Sequence, residues 1–521
     1  MGVWLLHPMH VSTMMLTIQR MVLLMSFFTL LGLIFYTKGR LLLSARPLAG
    51  YVLMSIGIVA GGTLATLSKE NGVLLPLYAL TLEATLFSKL HTGTARWGLK
   101  RWKAIFLVLP LVMLSGYFLL IPEKFSAEYA RRDFSLAERL LTEPRIILDY
   151  LSNILLPRLR GSGIFHDDFT ISTGLFSPPS TAGALVALFA GVSFAVVSRR
   201  RFPFAAFAIF WFFAGHALES TFIWLELYFE HRNYLPMFGL FVFVVWLLSK
   251  LPDVGRRASV YGLVAFMALE SFLVWQGSNV WASENTLVQV WSRENPKSLR
   301  AQQLAASYWQ RQGQYSVARR HLAIAQQHHP DSLSVFLQIS LLECEIPDGK
   351  TAADKAYRLA PKAAYQDSVF SMVTRIRMLV NRNACDAWRS GQLIGLLDVL
   401  LENAAYNSTK RTRGFLLYEQ GRVAIEARKP RVAVAALSGA YCEREEPQLA
   451  RYLIGYLVAL GDAATANKVA LAVRQDGGSR RLLGNSISRP EQEKPWVTRG
   501  TWAPFLASCL SGDMHKSRKT H

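Results

Sequence analysis

"PFAAFAIFWFFAGHALESTFIWLELYFEHRNYLPMFGLFVFVVWLLSK" (203–250) holds two apolar runs without a charge and a polar break between them. The break, "WLELYFEHRNYLP" (224–236), carries Glu226, Glu230, Arg232, a histidine, an asparagine and two tyrosines. Runs of this kind suit hydrocarbon, whereas ionisable groups at membrane depth are costly unless they line a cavity. The pairing predicts an all-α, polytopic membrane fold with a polar site at one boundary.

The rest of the chain extends that reading. It has 521 residues, 51% of them hydrophobic, and a positive mean hydropathy. Eight stretches are long or apolar enough to suggest crossing ~30 Å of hydrocarbon: 21–37, 48–67, 71–88, 104–121, 181–198, 203–218, 235–249 and 259–276. After residue 276 the sequence turns charged and rich in Ala and Gln. A membrane domain (1–276), a helical-repeat domain (277–475) and a flexible tail (476–521) are therefore expected.

The net charge of +21 would suit nucleic acid, but much of it lies in short loops between the spans. Lys38, Arg40 and Arg46 form one group, and Lys89, Arg96, Lys100, Arg101 and Lys103 a second. Arg199–Arg201 and then Lys250, Arg256 and Arg257 complete the set. This is the positive-inside bias of a multispanning protein, so a nucleic-acid partner is not expected. No short apolar core precedes a convincing signal-cleavage site.

Placing those loops in the cytoplasm puts 1–20, 68–70, 122–180, 216–234 and everything beyond 276 on the opposite face. "LHPMH" (6–10), "QR" (19–20), "SKEN" (68–71), "FHDDF" (165–169), "GHALES" (215–220) and "ELYFEHRNY" (226–234) then share one side. Loop charge alone gathers them, which points to a shared site facing away from the cytoplasm.

Each residue has a sharp and a plain reading. Arg20 is a clamp on a lipid phosphate or an interfacial arginine that snorkels to headgroups. His7 and His10 contact substrate hydroxyls or pack a helix end. Lys69 reaches phosphate, or pairs with Glu70 to close a turn. Asp167 and Asp168 are weak catalytic or metal candidates, since adjacent carboxylates do not readily converge on one centre. His216 and Glu219 face the same boundary as Glu230, His231, Arg232 and Asn233. There Arg232 and His231 are expected to contact a phosphate with Glu230 orienting them; the alternative is an internal salt-bridge network.

In the second half, "LRAQQLAASYWQRQGQYSVARRHLAIAQQHHPDS" (299–332) fits the tetratricopeptide template through Gly313, Tyr315, Ala318, Leu322, Ala325 and Pro330. Ala433, Ala440, Gly461 and Ala466 echo it, and 333–415 is degraded. An α-solenoid that binds peptide or protein is expected, with a helical bundle lacking true repeats as the alternative. The cysteines 344, 385, 442 and 509 do not specify a pairing by spacing, and isolated thiols are as compatible.

With these segments in place, "LLHPMHVSTMMLTIQRMVLLMSFFTLLGLIFYTKGR", "LSKENGVLLPLYAL" and "ELYFEHRNYLP" resemble the bacterial relatives of the transmembrane-and-TPR O-mannosyltransferases. These belong to the GT-C glycosyltransferase superfamily, and the resemblance spans about residues 4–250. It implies an integral membrane enzyme of the bacterial inner membrane that transfers a sugar from a polyprenyl-phosphate donor. The acceptor would be a Ser or Thr hydroxyl of a protein on the external, periplasmic face, recruited by the TPR half. Such chemistry needs a carboxylate to take the hydroxyl proton and cations to hold the leaving phosphate. The family usually carries its catalytic acid in the first external loop. By comparison this chain starts near the end of a third span, so as written it is expected to lack that base, and its activity is in question. A divalent metal stays open for the same reason. A polymerase or ligase of lipid-linked glycans and a non-catalytic membrane-anchored TPR scaffold are the alternatives.

Overall fold

Alternating apolar and small residues over 20–42 and 47–68 build the closest helix pair of the structure. In this computed structural model, which describes residues 2–90, 96–120, 128–129, 131–158, 164–346, 351–444 and 446–475, the helices Arg20–Leu42 and Pro47–Ser68 touch backbone to backbone. A Cβ added at Gly32 would sit 2.5 Å from the Gly57 carbonyl oxygen, and one at Gly39 would sit 2.6 Å from that of Gly50. Only glycine permits this approach, which replaces solvent-driven packing by van der Waals contact. The tail 476–521, with Cys509, lies outside the described residues.

Among the described residues the fold is helical throughout, with no strand and one isolated bridge, Gly174 to Ser177. Five helices are long and apolar enough to cross a membrane: Thr17–Leu42, Pro47–Ser68, Gly98–Leu119, Ser180–Ser198 and Asp253–Trp281. The other three expected spans are shorter than their apolar runs. Leu75–Ala84 has 10 residues, and Pro203–His216 and Pro236–Ser249 have 14 each. At ~1.5 Å per residue the longer two reach about 20 Å, short of ~30 Å of hydrocarbon. The reason is local. Each of the three stops or starts at a knot of buried charge, where the backbone leaves the helix to let polar side chains meet.

The chain divides into two compact units, residues 1–305 and 306–521. The first extends past the expected boundary at 276. Trp291 packs edge-on to Phe165 at 5.2 Å, and Ser298 and Arg300 bond to Asp167, so residues 277–305 belong with it.

The second unit is helical, with short turns between successive helices. Tyr315–His328 follows Leu299–Arg311, a helix that begins within the first unit, after three residues, and Ala463–Gln475 follows Pro447–Ala459 after three. In both turns the middle residue is a glycine at positive φ, Gly313 at 72° and Gly461 at 81°. The same turn recurs at Asn383 (50°) and Arg428 (55°), each two residues beyond a helix end. The small residues marked by the sequence, Ala318, Ala325, Ala433, Ala440 and Ala466, are all buried between helices. Cys344 and Cys385 form a disulfide with their Cα atoms 4.5 Å apart, which replaces the isolated thiols allowed above.

Candidate functional site

The site begins with a helix the apolar-run reading passed over. Ser135 and Glu138 form a capping box that starts the helix Leu136–Leu155. Its apolar and polar residues alternate at helical spacing, so one face is buried. That face carries Arg139, Glu143 and Tyr150 against the irregular segment 217–235. The Tyr150 hydroxyl donates to the Phe229 carbonyl at 3.0 Å and accepts from the Phe229 N–H at 2.8 Å. Arg139 donates to the carbonyls of Glu219 (2.6 Å), Thr221 (2.7 Å) and Leu225. Arg232 turns back on its own segment and donates to the carbonyls of Leu227 (2.7 Å) and Glu226. Two guanidinium groups thus hold a stretch that has few backbone bonds of its own.

Five charges form one buried chain. Arg139 lies 2.7 Å from Glu143, Glu143 3.8 Å from Arg232, Arg232 3.7 Å from Glu219, and Glu219 2.6 Å from Lys69. All five residues are between 0 and 5% exposed. The signs alternate and both ends are cationic, so three cations face two carboxylates. Burial of an uncompensated charge is costly, and the cluster as it stands is one negative charge short.

Among the described residues one further carboxylate, Glu226, reaches Arg232 with its charge, but it is itself paired with Arg132 at 3.1 Å and Arg300 at 3.0 Å. Glu230 is buried, its acid is pushed well above the ordinary range by loss of water, and it accepts a 2.9 Å hydrogen bond from the Ser12 hydroxyl. Arg232 makes its ion pairs with Glu143 and Glu219 rather than with Glu230. Burial, with Lys69 close by, lowers His231 to about 3, so its ring is neutral. Burial also works against the Glu219 charge, yet Lys69 and Arg232 together hold that acid below its usual range. At Glu143 burial wins over Arg232 and Arg139, and its pKa is pushed up to about 7.

Lys69, Asn71, Tyr78, Glu219, His231 and Arg232 line a cavity of about 10 Å³, room for one water. Gly215 makes this corner possible, because a Cβ there would meet the Pro236 ring at 2.3 Å and the Tyr78 hydroxyl at 2.5 Å. Glycine lets the end of one short helix and the start of another close over Tyr78.

The sequence candidates separate cleanly. Lys69, Glu219, His231 and Arg232 meet at the cavity, with His216 and Asn233 buried beside them. His216 stacks on Tyr150 and shares a 3.1 Å hydrogen bond with Ser220; the Asn233 amide donates to the Glu230 carbonyl at 3.3 Å. Lys69 pairs with Glu219 rather than with Glu70, which is exposed. Arg20 is exposed at the start of its helix, two residues before Val22, which lines the cavity. His7 and His10 are buried packing residues: His7 meets the Ile154 carbonyl at 3.1 Å, and His10 lies 4.5 Å from the Tyr234 ring. Burial lowers them to about 4 and 3, so both rings are neutral. Asp167 accepts from the Ser298 hydroxyl at 2.5 Å and the Arg300 N–H at 3.2 Å, which caps the helix that follows; Asp168 is exposed.

Sequence reasoning missed Arg139, Glu143, Asp149 and Tyr150, all on the helix Leu136–Leu155. Asp149 is half-buried and accepts from the Tyr228 hydroxyl (2.7 Å) and the Asn153 amide (3.0 Å). Among the described residues no three His, Cys, Asp or Glu side chains converge as a metal site. No family model, curated protein or solved structure matches the chain.

Proposed function

We propose that the chain is a membrane-embedded glycosyltransferase of GT-C type that moves a sugar from a polyprenyl-phosphate donor to a protein hydroxyl. The observation that carries this reading is the buried chain of five charges, one negative charge short, at the ends of three short apolar helices. A lipid phosphodiester supplies one negative charge, and because the cavity holds no more than one water, its phosphate would enter only as the ends of the short helices part. Lys69 and Arg232 are the cations on the cavity, and they would take the charge that develops on the departing phosphate. The membrane signal of the five long helices and the motif resemblance support the same reading.

The depth of the cluster sets how such a donor would reach it. Pro203–His216 and Pro236–Ser249 both have basic residues at their far ends, Arg199–Arg201 and Lys250. If those mark one membrane boundary, the cluster lies about 20 Å from it and roughly 10 Å beneath the opposite face. For a polyprenyl phosphate of the outer leaflet to reach that level, its phosphate would have to sink about 10 Å below the headgroups, drawn by the buried cations.

For the acceptor hydroxyl a carboxylate is needed. Glu143 and Glu219 are ion-paired, and Glu230 is buried with its carboxylate bonded to the Ser12 hydroxyl. Asp149 carries no ion pair among the described residues and is half-buried on the same helix, so we assign it the proton. The second unit would present the acceptor. Its four like turns and buried small residues support a TPR-type solenoid, and its disulfide suits a periplasmic location.

The test is sugar incorporation into Ser/Thr peptides by membrane vesicles containing the full chain and labelled polyprenyl-phosphate hexoses. Arg232→Gln and Lys69→Gln are expected to lower transfer by about 10²–10³-fold. Asp149→Asn should abolish transfer but leave donor binding intact. Asp167→Asn should change neither. Unchanged transfer in the Arg232 and Lys69 variants, with phenotype lost only when the helical hairpin at 299–328 is disrupted, would favour the scaffold reading.

Glu143 gives the site a pH dependence whose sign is fixed. Above about pH 7 it is ionised and the cluster holds three cations against two carboxylates; below, one carboxylate remains. A phosphodiester keeps its single charge over this range, so its binding should strengthen as pH falls through 7, by roughly tenfold for one added charge near a semi-buried site. Glu143→Gln should bind with the low-pH affinity at every pH. Titrating donor affinity from pH 5.5 to 8.5, about 1.5 units either side of that midpoint, checks both.

A further inference from the structure

The first unit holds a second buried group of charges, separated from Lys69 of the first by the helix Leu75–Ala84. Glu83 accepts from the Tyr36 hydroxyl at 2.9 Å and from Arg40 Nε at 2.7 Å on one oxygen, and from Lys103 Nζ at 3.1 Å on the other. Both oxygens accept, so the single carboxylate charge is already shared between two cations. Two cations face one carboxylate, and Arg40 Nη1 is buried with no hydrogen-bond partner among the described residues. The Arg40 side chain is 3% exposed, Glu83 6% and Lys103 29%, so Lys103 is the open side.

The neighbouring sequence carries little to balance this charge. Residues 1–120 contain ten Lys and Arg but only two carboxylates, Glu70 and Glu83. Glu70 is exposed at the opposite end of the helix Leu75–Ala84. The surroundings add positive charge: Lys38, Lys89, Lys100 and Arg101 are exposed around the cluster. Lys100, Arg101 and Lys103 end the short helix Arg96–Lys103, whose Leu99 and Trp102 are buried, and which runs directly into an apolar span. A basic pocket between helices at a membrane boundary is the setting in which anionic headgroups are held.

We infer that Arg40, Lys103 and Glu83 form a binding site for the headgroup phosphate of an anionic phospholipid on the face carrying the basic loops. The phosphate would sit beside Lys103, take the free Nη1 of Arg40 and balance the extra cation. Its acyl chains would lie along the neighbouring apolar helices, where Leu41 and Leu48 are exposed. The inference rests on reading those helices as membrane spans, and not on the glycosyltransferase proposal.

The test uses the full chain, purified in micelles doped with phosphatidylglycerol or phosphatidylcholine of the same acyl chains. Retained lipid is counted by native mass spectrometry in high salt, which screens the exposed basic residues. Phosphatidylglycerol should be retained in preference to phosphatidylcholine. Lys103→Gln, at a partly open position that the fold tolerates, should lower its retention about fivefold, the effect of one basic residue near a lipid surface. Lys103→Arg should restore it. Equal retention of the two lipids, or unchanged retention in Lys103→Gln, would overturn the site. Saturable binding of inorganic phosphate that displaces the lipid would overturn the lipid assignment in favour of a soluble phosphate.

Discussion

Glu219→Gln should destabilise the first unit by about 3–5 kcal/mol, the cost of removing one partner from a buried ion pair. Glu219 is the carboxylate between Lys69 and Arg232, at 2.6 and 3.7 Å, and both cations are buried. Without it, Lys69 loses its ion pair and Arg232 retains only Glu143 at 3.8 Å. The amide keeps the shape, so a loss of this size reports charge rather than packing. Chemical unfolding in detergent measures it, and added polyprenyl phosphate should recover part of the loss by supplying the missing anion. Equal stability of Glu219→Gln and the parent chain would mean that the cations are not buried in the membrane-bound protein.

Arg139→Met is expected to cost about 4–6 kcal/mol. Arg139 is wholly buried and donates to carbonyls of Glu219, Thr221 and Leu225, besides its 2.7 Å pair with Glu143. Each buried carbonyl left without a donor costs about 1–3 kcal/mol, and Glu143 would lose its nearest cation. The effect should be regional. Amides of 217–235 are expected to exchange faster by hydrogen exchange, while those of the helical hairpins beyond residue 306 keep their protection. Uniform loss of protection in both units would contradict the role given to Arg139.

The long apolar runs around 21–37 and 48–67 were legible because no charge interrupts them, and that at 259–276 despite Glu270; each becomes one continuous helix. The runs at 71–88, 203–218 and 235–249 look alike in composition, but hydropathy does not register where a helix stops for a site. Residues 70–74 form a tight turn that buries Asn71 beside Lys69, and Pro236 restarts the helix after Arg232. The contact between Lys69 and Glu219 joins positions 150 residues apart, and no local pattern encodes it. Topology came nearest, by placing both on one face. Arg139 and Glu143 were locally visible as an i, i+4 pair behind a capping box, and they were overlooked because 122–180 was read as an external loop. In the second unit Gly313 and Gly461 announced their turns; Asn383 and Arg428 adopt the same conformation without glycine and gave no signal.

The central claim is that the chain of buried charges accepts a lipid phosphate at Lys69 and Arg232. The most direct measurement is equilibrium binding of a polyprenyl phosphate to the purified full chain in detergent, beside the same polyprenol without its phosphate. The account predicts saturable binding of the phosphate alone, weakened at least tenfold by Lys69→Gln in a protein that still unfolds cooperatively. Equal binding of the alcohol and the phosphate, or full affinity in Lys69→Gln, would contradict it.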